Sequence, residues 1–264
     1  MWEKYDALKH ILMEMERVLV AFSGGVDSSL VLKVAYDTLG DNVLAVLGSS
    51  PSIPLYEQVE AREIARDIGT DLVVLAKHEL EDPEFVENTP DRCYFCKAGI
   101  CDELMSYAKE RGYRYVVDGS NADDVGDYRP GSRAAKEYGM RSPLQEVGMT
   151  KAEIRALARE LGLPNWNKPS SACLVSRIPY GDTIDEGTLI QIGKAEQLLL
   201  ELGFRELRVR HHNTIARIEV PVQNFNKLLD HRELIVSSLK ALGYTYVTLD
   251  LTGFRSGSMN EVLS

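Results

Sequence analysis

The residues best placed to do chemistry form one short stretch, Ala21-Phe22-Ser23-Gly24-Gly25-Val26-Asp27-Ser28. It lies between an apolar, β-rich run at 17–22 and a helix-like run at 30–39 that stops at Gly40. That order fits a buried parallel strand followed by a sharp turn. Gly24 and Gly25 have no Cβ, so both can take positive φ and come close to a ligand. Ser28-Ser29 is read as the N-cap of the 30–39 helix, which would turn backbone N–H groups and the positive helix end toward the loop. Such a loop suits a pyrophosphate. It has no Gly-Lys-Ser/Thr of the Walker A kind, so another nucleotide chemistry is needed. Asp27 would repel phosphate unless a cation lies between, and Mg²⁺ is expected there. The plainer reading of these residues is a tight strand-to-helix turn.

The four cysteines come next. Cys93-x-x-Cys96 is placed on a loop entering a helix at 98–111, and Cys173 lies far along the chain in another loop. Cys-x-x-Cys spacing lets two thiolates reach one metal ion. Cys101, about 140° round the helix axis from Cys96, is read as a buried, inert thiol. Three thiolates with no evident fourth ligand suit an iron–sulfur cluster with one open iron better than a closed zinc site. A Cys-x-x-Cys redox pair and a Cys₃His zinc knuckle remain open, with His78 the nearest fourth ligand in sequence.

Two charged stretches could join the phosphate loop. Asp118-Gly119-Ser120-Asn121-Ala122-Asp123-Asp124, then Asp127-Tyr128-Arg129-Pro130-Gly131, crowd carboxylates at the end of a strand at 113–117. A Mg²⁺·ATP site needs such acids, although a solvated acidic turn would look the same. Arg208 and Arg210 alternate along a strand with Leu207, Val209 and His211, followed by Arg217 and Arg255. In an acidic protein this basic face suits a phosphate, and the rival is an ion-paired surface strand.

The elements that must position these groups alternate β and α, as in a parallel sheet with helices on its faces. A helix at 2–16 carries Tyr5, Leu8, Ile11, Leu12 and Met15 on one side. Strands at 42–48 and 71–76 flank a helix at 57–68, and 77–92 reads as a long loop. Ser49-Ser50-Pro51-Ser52-Ile53-Pro54, at the carboxyl edge of the second strand, is placed near the adenine, although a Ser/Pro surface loop has the same composition. Thr150-Lys151-Ala152-Glu153 is a capping box, and Thr183-Ile184-Asp185-Glu186 is read as a second one starting a helix to Leu202. The segment 165–181 has no clear period, and the domain boundary is put at its end, giving domains 1–180 and 181–264. Strand, strand, helix and strand at 205–211, 214–220, 222–242 and 244–250 make the second a small α+β domain.

At 264 residues the chain can bury a full core. A net charge of −10 argues against a general nucleic-acid binder. The first residues are charged and no apolar run approaches the ~20 residues needed to span a bilayer, so no membrane association and a cytoplasmic location are expected.

The loop resembles the Ser-Gly-Gly-x-Asp-Ser signature of the PP-loop, or N-type ATP pyrophosphatase, superfamily. That resemblance implies an adenine nucleotide α-hydrolase-like fold and cleavage of ATP between the α and β phosphates. It implies ATP on Ser23, Gly24, Gly25, Asp27, Ser28, Ser29, Ser49, Asn121 and Asp124, with Asp27 and Asp124 on Mg²⁺. Together with Asn165-Trp166-Asn167-Lys168, Arg177-Ile178-Pro179-Tyr180-Gly181 and Gly253-Phe254-Arg255-Ser256-Gly257, the chain resembles LarE-type sulfurtransferases over nearly its whole length. These build the nickel-pincer nucleotide by adenylating the carboxylates of pyridinium-3,5-biscarboxylic acid mononucleotide and converting them to thiocarboxylates. Some sacrifice the sulfur of one cysteine; others hold a [4Fe-4S] cluster on three cysteines. Cys93, Cys96 and Cys173 make this chain similar to the cluster-bearing kind, which needs a sulfide donor, while Cys173 also stands where the sacrificial cysteine lies. The resemblance puts the substrate phosphate on Arg208, Arg210 and Arg255, completed across a subunit interface of a homo-oligomer, while charge stabilisation by Arg177 and Lys168 is expected from their position alone. The rivals are a cluster-dependent tRNA thiolase of the same superfamily and a nucleotide-responsive metal protein without turnover.

Overall fold

Each residue of the first strand faces one of two separate cores, and this explains why the strand is apolar without alternation. In the computed structural model, which describes residues 1–124, 130–169 and 173–255, Val18 and Val20 join one buried cluster and Leu19 joins another. The next strand repeats the division, with Val43, Ala45 and Leu47 on one side and Leu44 and Val46 on the other. A sheet buried on both faces needs apolar residues at every position.

The described residues divide into two compact units, the first made of 1–50, 55–85 and 90–169 and the second of 51–54, 86–89 and 173–255. Residues 173–180, read from the sequence as the end of the first domain, lie in the second unit.

The first unit is a parallel sheet of β1 (Val18–Ala21), β2 (Val43–Ser49), β3 (Leu72–Ala76) and β4 (Tyr115–Val117) in the order β3-β2-β1-β4. Its helices are α1 (Trp2–Met15), α2 (Val26–Leu39), α3 (Leu55–Ile68), α4 (Pro83–Val86), α5 (Arg92–Glu110), α6 (Pro130–Glu137), α7 (Pro143–Glu146) and α8 (Lys151–Glu160). Residues of α1, α2, α3 and α8 fill the core on one face, and those of α5 and α6 the core on the other. The chain runs β1-β2-β3 to one side and then returns to place β4 on the other side of β1. The switch point of the sheet therefore lies between the carboxyl ends of β1 and β4, where open α/β sheets bind ligands.

The second unit contains α9 (Glu186–Glu201), β5 (Arg208–His212), β6 (Ile215–Glu219), α10 (Phe225–Asp230), α11 (Arg232–Ala241) and β7 (Tyr246–Leu249). Its three-stranded sheet, β5-β6-β7, is antiparallel then parallel, and encloses a core of Leu199, Phe204, Val209, Ile218, Leu239 and Tyr244.

Several local readings change. The helix after the phosphate loop begins at Val26, with extended Gly25 as its N-cap and no side-chain cap, so Ser28 and Ser29 lie inside its first turn. Only Gly24 takes positive φ, at +72°, while Gly25 has φ −76°. Thr150 and Glu153 form the predicted capping box, but Asp185 and not Thr183 caps α9, accepting from the Thr188 N–H at 2.9 Å. The polar stretch read as a loop contains α4, and α5 starts at Arg92, so Cys93 and Cys96 stand on a helix. The long helix read at 222–242 is broken at His231, which ends α10 and precedes α11. Of the motif residues, Asp127, Tyr128, Arg129, Ser170, Ser171, Ala172, Ser256 and Gly257 lie outside the described residues.

Candidate active site

The loop after β1 is tied by its own hydroxyls. Ser28 Oγ donates to the Gly25 carbonyl at 3.1 Å and accepts from the Ser23 N–H at 3.2 Å, and Ser23 Oγ lies 3.1 Å from it. The Ser28 side chain thus shapes the loop instead of capping the helix, which leaves the first-turn N–H groups of α2 for a ligand. A Cβ at Gly24 would stand 2.7 Å from Cβ of Ala61 in α3, so both backbone conformation and space require glycine there.

A second segment presses against this loop from β4. A Cβ at Gly119 would lie 2.6 Å from the Ser28 backbone nitrogen. Beyond it, buried Asp118 accepts from the Ser120 N–H and Oγ and from Ser142 Oγ, which fixes the turn. Asn121 and Asp124 follow, with Asp124 Oδ2 accepting the Asn121 N–H at 2.9 Å.

Asp27, in the first turn of α2, is the electrostatic centre. Its Oδ2 is bonded to Lys151 Nζ, and its Oδ1 is buried with no hydrogen-bond partner. Burial pushes its carboxyl pKa up and the nearby Asp124 adds to this, while Lys151 and Arg155 pull the other way. A buried carboxylate oxygen with nothing to accept fits a Mg²⁺ ligand, and Asp124 is the neighbouring acid that could share the ion.

Sequence reasoning missed two residues of this site. Asn165, 3 % exposed, donates through Nδ2 to the Gly24 carbonyl at 3.0 Å and to Ser29 Oγ at 2.9 Å. It stood in the sequence only as part of a motif without period. Lys151 reads in the sequence only as the first residue of a capped helix. Lys168, assigned to charge stabilisation, is paired with Glu60 at 2.8 Å. Ser49 ends β2 beside β1, and its hydroxyl donates to Gln58 Oε1 at 2.6 Å.

The thiols Cys93 and Cys96 stand one turn apart at the start of α5, exposed and half-buried respectively, and neither is in a disulfide. Lys77 Nζ donates to Cys96 Sγ at 3.2 Å. Cys101 is fully buried, and burial pushes its thiol pKa up, as an inert cysteine requires. Among the described residues no three His, Cys, Asp or Glu side chains gather as a metal site. As donors, paired thiols of this kind suit iron–sulfur chemistry.

In the second unit two of the predicted arginines, Arg177 and Arg210, are buried in ion pairs. Arg177 forks onto Glu196 through Nε at 2.9 Å and Nη2 at 2.8 Å, and Glu196 also accepts the Val209 N–H at 2.9 Å. Arg177 Nη1 donates to the carbonyl of exposed Cys173 at 3.1 Å, and Arg210 Nη1 to that of Ser176 at 2.9 Å. Two guanidinium groups therefore pin the turn that follows Cys173. Arg210 pairs with buried Glu219 at 2.8 Å, and Arg217 shares that carboxylate at 3.2 Å. Arg208 lies over the Phe254 ring, and Arg255 reaches Asp250 at 4.0 Å. The strand carries the arginines on one face as read, but Arg210 is buried with a carboxylate, so this part is an internal ion-pair network.

No protein-family model matches the chain. It is 44% identical over 262 residues to the pyridinium-3,5-bisthiocarboxylic acid mononucleotide synthase of Lactiplantibacillus plantarum, covering 99% of this chain and 95% of that one. An uncharacterised protein of Synechocystis is 44% identical over 263 residues, 99% of this chain and 98% of its own. More distantly, the tRNA-specific 2-thiouridylase MnmA of Desulforamulus reducens is 29% identical over 219 residues, 65% of this chain and 58% of that protein. A phosphate loop at the switch point of a parallel sheet accords with these relatives, and identity at the higher level runs through both units. The chain is a PP-loop protein and belongs to the LarE-type family of pyridinium-3,5-bisthiocarboxylic acid mononucleotide synthase.

Proposed function

We propose that this protein is an ATP-dependent sulfurtransferase of nickel-pincer nucleotide biosynthesis, which adenylates the carboxylates of pyridinium-3,5-biscarboxylic acid mononucleotide and replaces an oxygen of each with sulfur. The observation that carries the reading is the built phosphate loop with the buried, unpartnered Oδ1 of Asp27, in a chain 44% identical over nearly its full length to a synthase of the bisthiocarboxylate.

ATP lies with its β and γ phosphates on the N–H groups of Gly24, Gly25 and the first turn of α2. Ser23, Ser28 and Ser29 keep the loop in shape, and Ser49, Asn121 and Asp124 complete the nucleotide contacts. A substrate carboxylate attacks the α-phosphorus, and pyrophosphate leaves into the ring of N–H donors, whose fixed dipoles stabilise the charge it gains. Asp27 and Asp124 would hold Mg²⁺, which supplies charge neutralisation on the phosphates. Cys93, Cys96 and Cys173 would hold a [4Fe-4S] cluster, which when bound would carry a sulfide from an external donor, and AMP is the leaving group when sulfur replaces the adenylated oxygen. Arg177 holds the Cys173 backbone and so positions its thiol. Arg208, Arg210 and Arg255 take the substrate phosphate in a homo-oligomer, where an incoming anion would compete with Glu219 and Asp250 for their forks.

A second reading rests on Cys173, whose thiol is exposed and whose backbone is pinned, as a sacrificed sulfur donor would need to be. One experiment separates them. Protein purified anaerobically is assayed for iron and sulfide, mixed with ATP and the mononucleotide, and weighed by mass spectrometry after turnover. About four irons per chain and an unchanged protein mass support the cluster route. No iron and a loss of about one H₂S support sacrifice of Cys173. No pyrophosphate release on adding the mononucleotide overturns both.

A further inference from the structure

Asp27 presents a problem that the nucleotide reading leaves unsolved. Asp27 is partly buried at the mouth of an anion-binding loop, and a carboxylate with a buried oxygen there is costly unless a cation answers its charge before any metal arrives. One of its oxygens is held by Lys151, and the other is buried without a partner. The carboxylate is therefore half satisfied by protein and half left for another cation.

Lys151 is built for exchange. Its backbone is fixed: it is the first residue of α8, behind the Thr150–Glu153 capping box, and its own N–H donates to Asp123 Oδ2 at 2.8 Å. Its side chain is the mobile part, 30% exposed, on a flexible four-carbon stem. The turn that receives its N–H is the acidic turn of Asn121 to Asp124. Arg155, one turn along α8, is engaged with the Lys168 carbonyl at 3.0 Å, which leaves the ammonium of Lys151 as the charge bonded directly to Asp27.

We propose that Lys151 is a built-in stand-in for the metal: it neutralises Asp27 in the empty enzyme, yields that carboxylate to Mg²⁺ when the metal–nucleotide enters, and moves to a phosphate oxygen. The exchange rests on the ATP reading of the loop and adds an order to it. The metal alone must displace an ammonium and is disfavoured, whereas metal and phosphate together give both cations an anion. The loop is thereby protected from binding free Mg²⁺ without nucleotide.

The test is calorimetry on the full chain with Mg²⁺ alone and with Mg²⁺ plus a non-hydrolysable α,β-methylene ATP analogue. Lys151→Met removes the competitor, so binding of Mg²⁺ alone tightens at least fivefold, while binding of the metal–analogue complex weakens at least tenfold. Lys151→Arg keeps the charge and moves both values back toward wild type. Shifts of the same sign in Lys151→Met, with the wild type binding the analogue normally, would overturn the exchange and leave the nucleotide site intact. Failure of the wild type to bind the analogue would overturn the site itself. Should Lys151→Met not fold, Lys151→Gln carries the same comparison.

Discussion

Asn165 Nδ2 lies 3.0 Å from the carbonyl oxygen of Gly24, a residue 141 positions earlier in the chain. That contact holds the positive-φ peptide of the phosphate loop from behind, and the second bond, to Ser29 Oγ, ties the same side chain to the first turn of α2. Asn165→Ala leaves a buried carbonyl without its donor, at a cost of about 1–3 kcal/mol. Most of that cost falls on loop geometry, so the KM for ATP should rise on the order of tenfold. Initial rates of pyrophosphate release across an ATP titration check this. Asn165→Asp, which cannot donate, should fail equally, and normal ATP kinetics in it would remove Asn165 from the machinery.

Gly119→Ala tests the contact between the turn after β4 and the loop after β1. The added methyl would meet the Ser28 nitrogen at 2.6 Å, and backbone cannot rotate away as a side chain can. A strain of about 1–3 kcal/mol is expected. Urea denaturation should show a loss of that size, and analogue binding by calorimetry should weaken at least tenfold. Unchanged nucleotide affinity would mean that the two turns move independently.

The arginines of β5 should separate by burial. Arg208→Ala is expected to raise the KM for the mononucleotide and leave that for ATP unchanged, since Arg208, whose guanidinium lies over the Phe254 ring, belongs to the unit that does not carry the phosphate loop. Arg210→Ala strips a partner from fully buried Glu219, which costs about 3 kcal/mol, the low end for a broken buried pair because Arg217 still reaches that carboxylate. Denaturation and kinetics of the two variants side by side check this. Equal loss of ATP and mononucleotide affinity in Arg208→Ala would sink the phosphate assignment.

The second unit should be acid-sensitive in a defined window. Burial holds the imidazoles of His211 and His212 below the ordinary value of 6.5, against the pull of Asp185 and Asp182 on His211. The unfolded chain then binds protons near pH 6.5 that the folded one refuses, so stability is present above 6.5 and is lost as pH falls below it. Thermal unfolding followed from pH 8 to 5 should show this decline, and His211→Gln should flatten it. A Tm that does not move between pH 7 and 5.5 would refute the depressed values.

Much of the fold was legible in the chain because it is written locally. The alternation of apolar strands and helices ending in glycine identifies a parallel sheet, and Ser-Gly-Gly-x-Asp-Ser after the first strand places the phosphate loop. The errors lie where local signals compete. Ser28-Ser29 looks like a cap, but the Ser28 hydroxyl is used inside the loop, and helix α2 starts at Val26, four residues before the expected start at 30. Cys93-x-x-Cys96 is read as a loop entering a helix at 98, yet these residues form the first turns of α5, whose buried face includes Arg92 and Cys101.

The sequence by itself determined the chemical inventory: a pyrophosphate loop with an aspartate in it, a Cys-x-x-Cys pair with a third thiol far along the chain, and an arginine-bearing strand. Only the tertiary structure decided which charges are already answered. Lys151 on Asp27, Asn165 on Gly24, Glu196 on Arg177 and Glu219 on Arg210 each join residues distant in the sequence or on neighbouring elements. No local pattern encodes these pairs, because a buried charge or donor is satisfied by whatever the packed chain brings within about 3 Å of it, and that is a property of the fold.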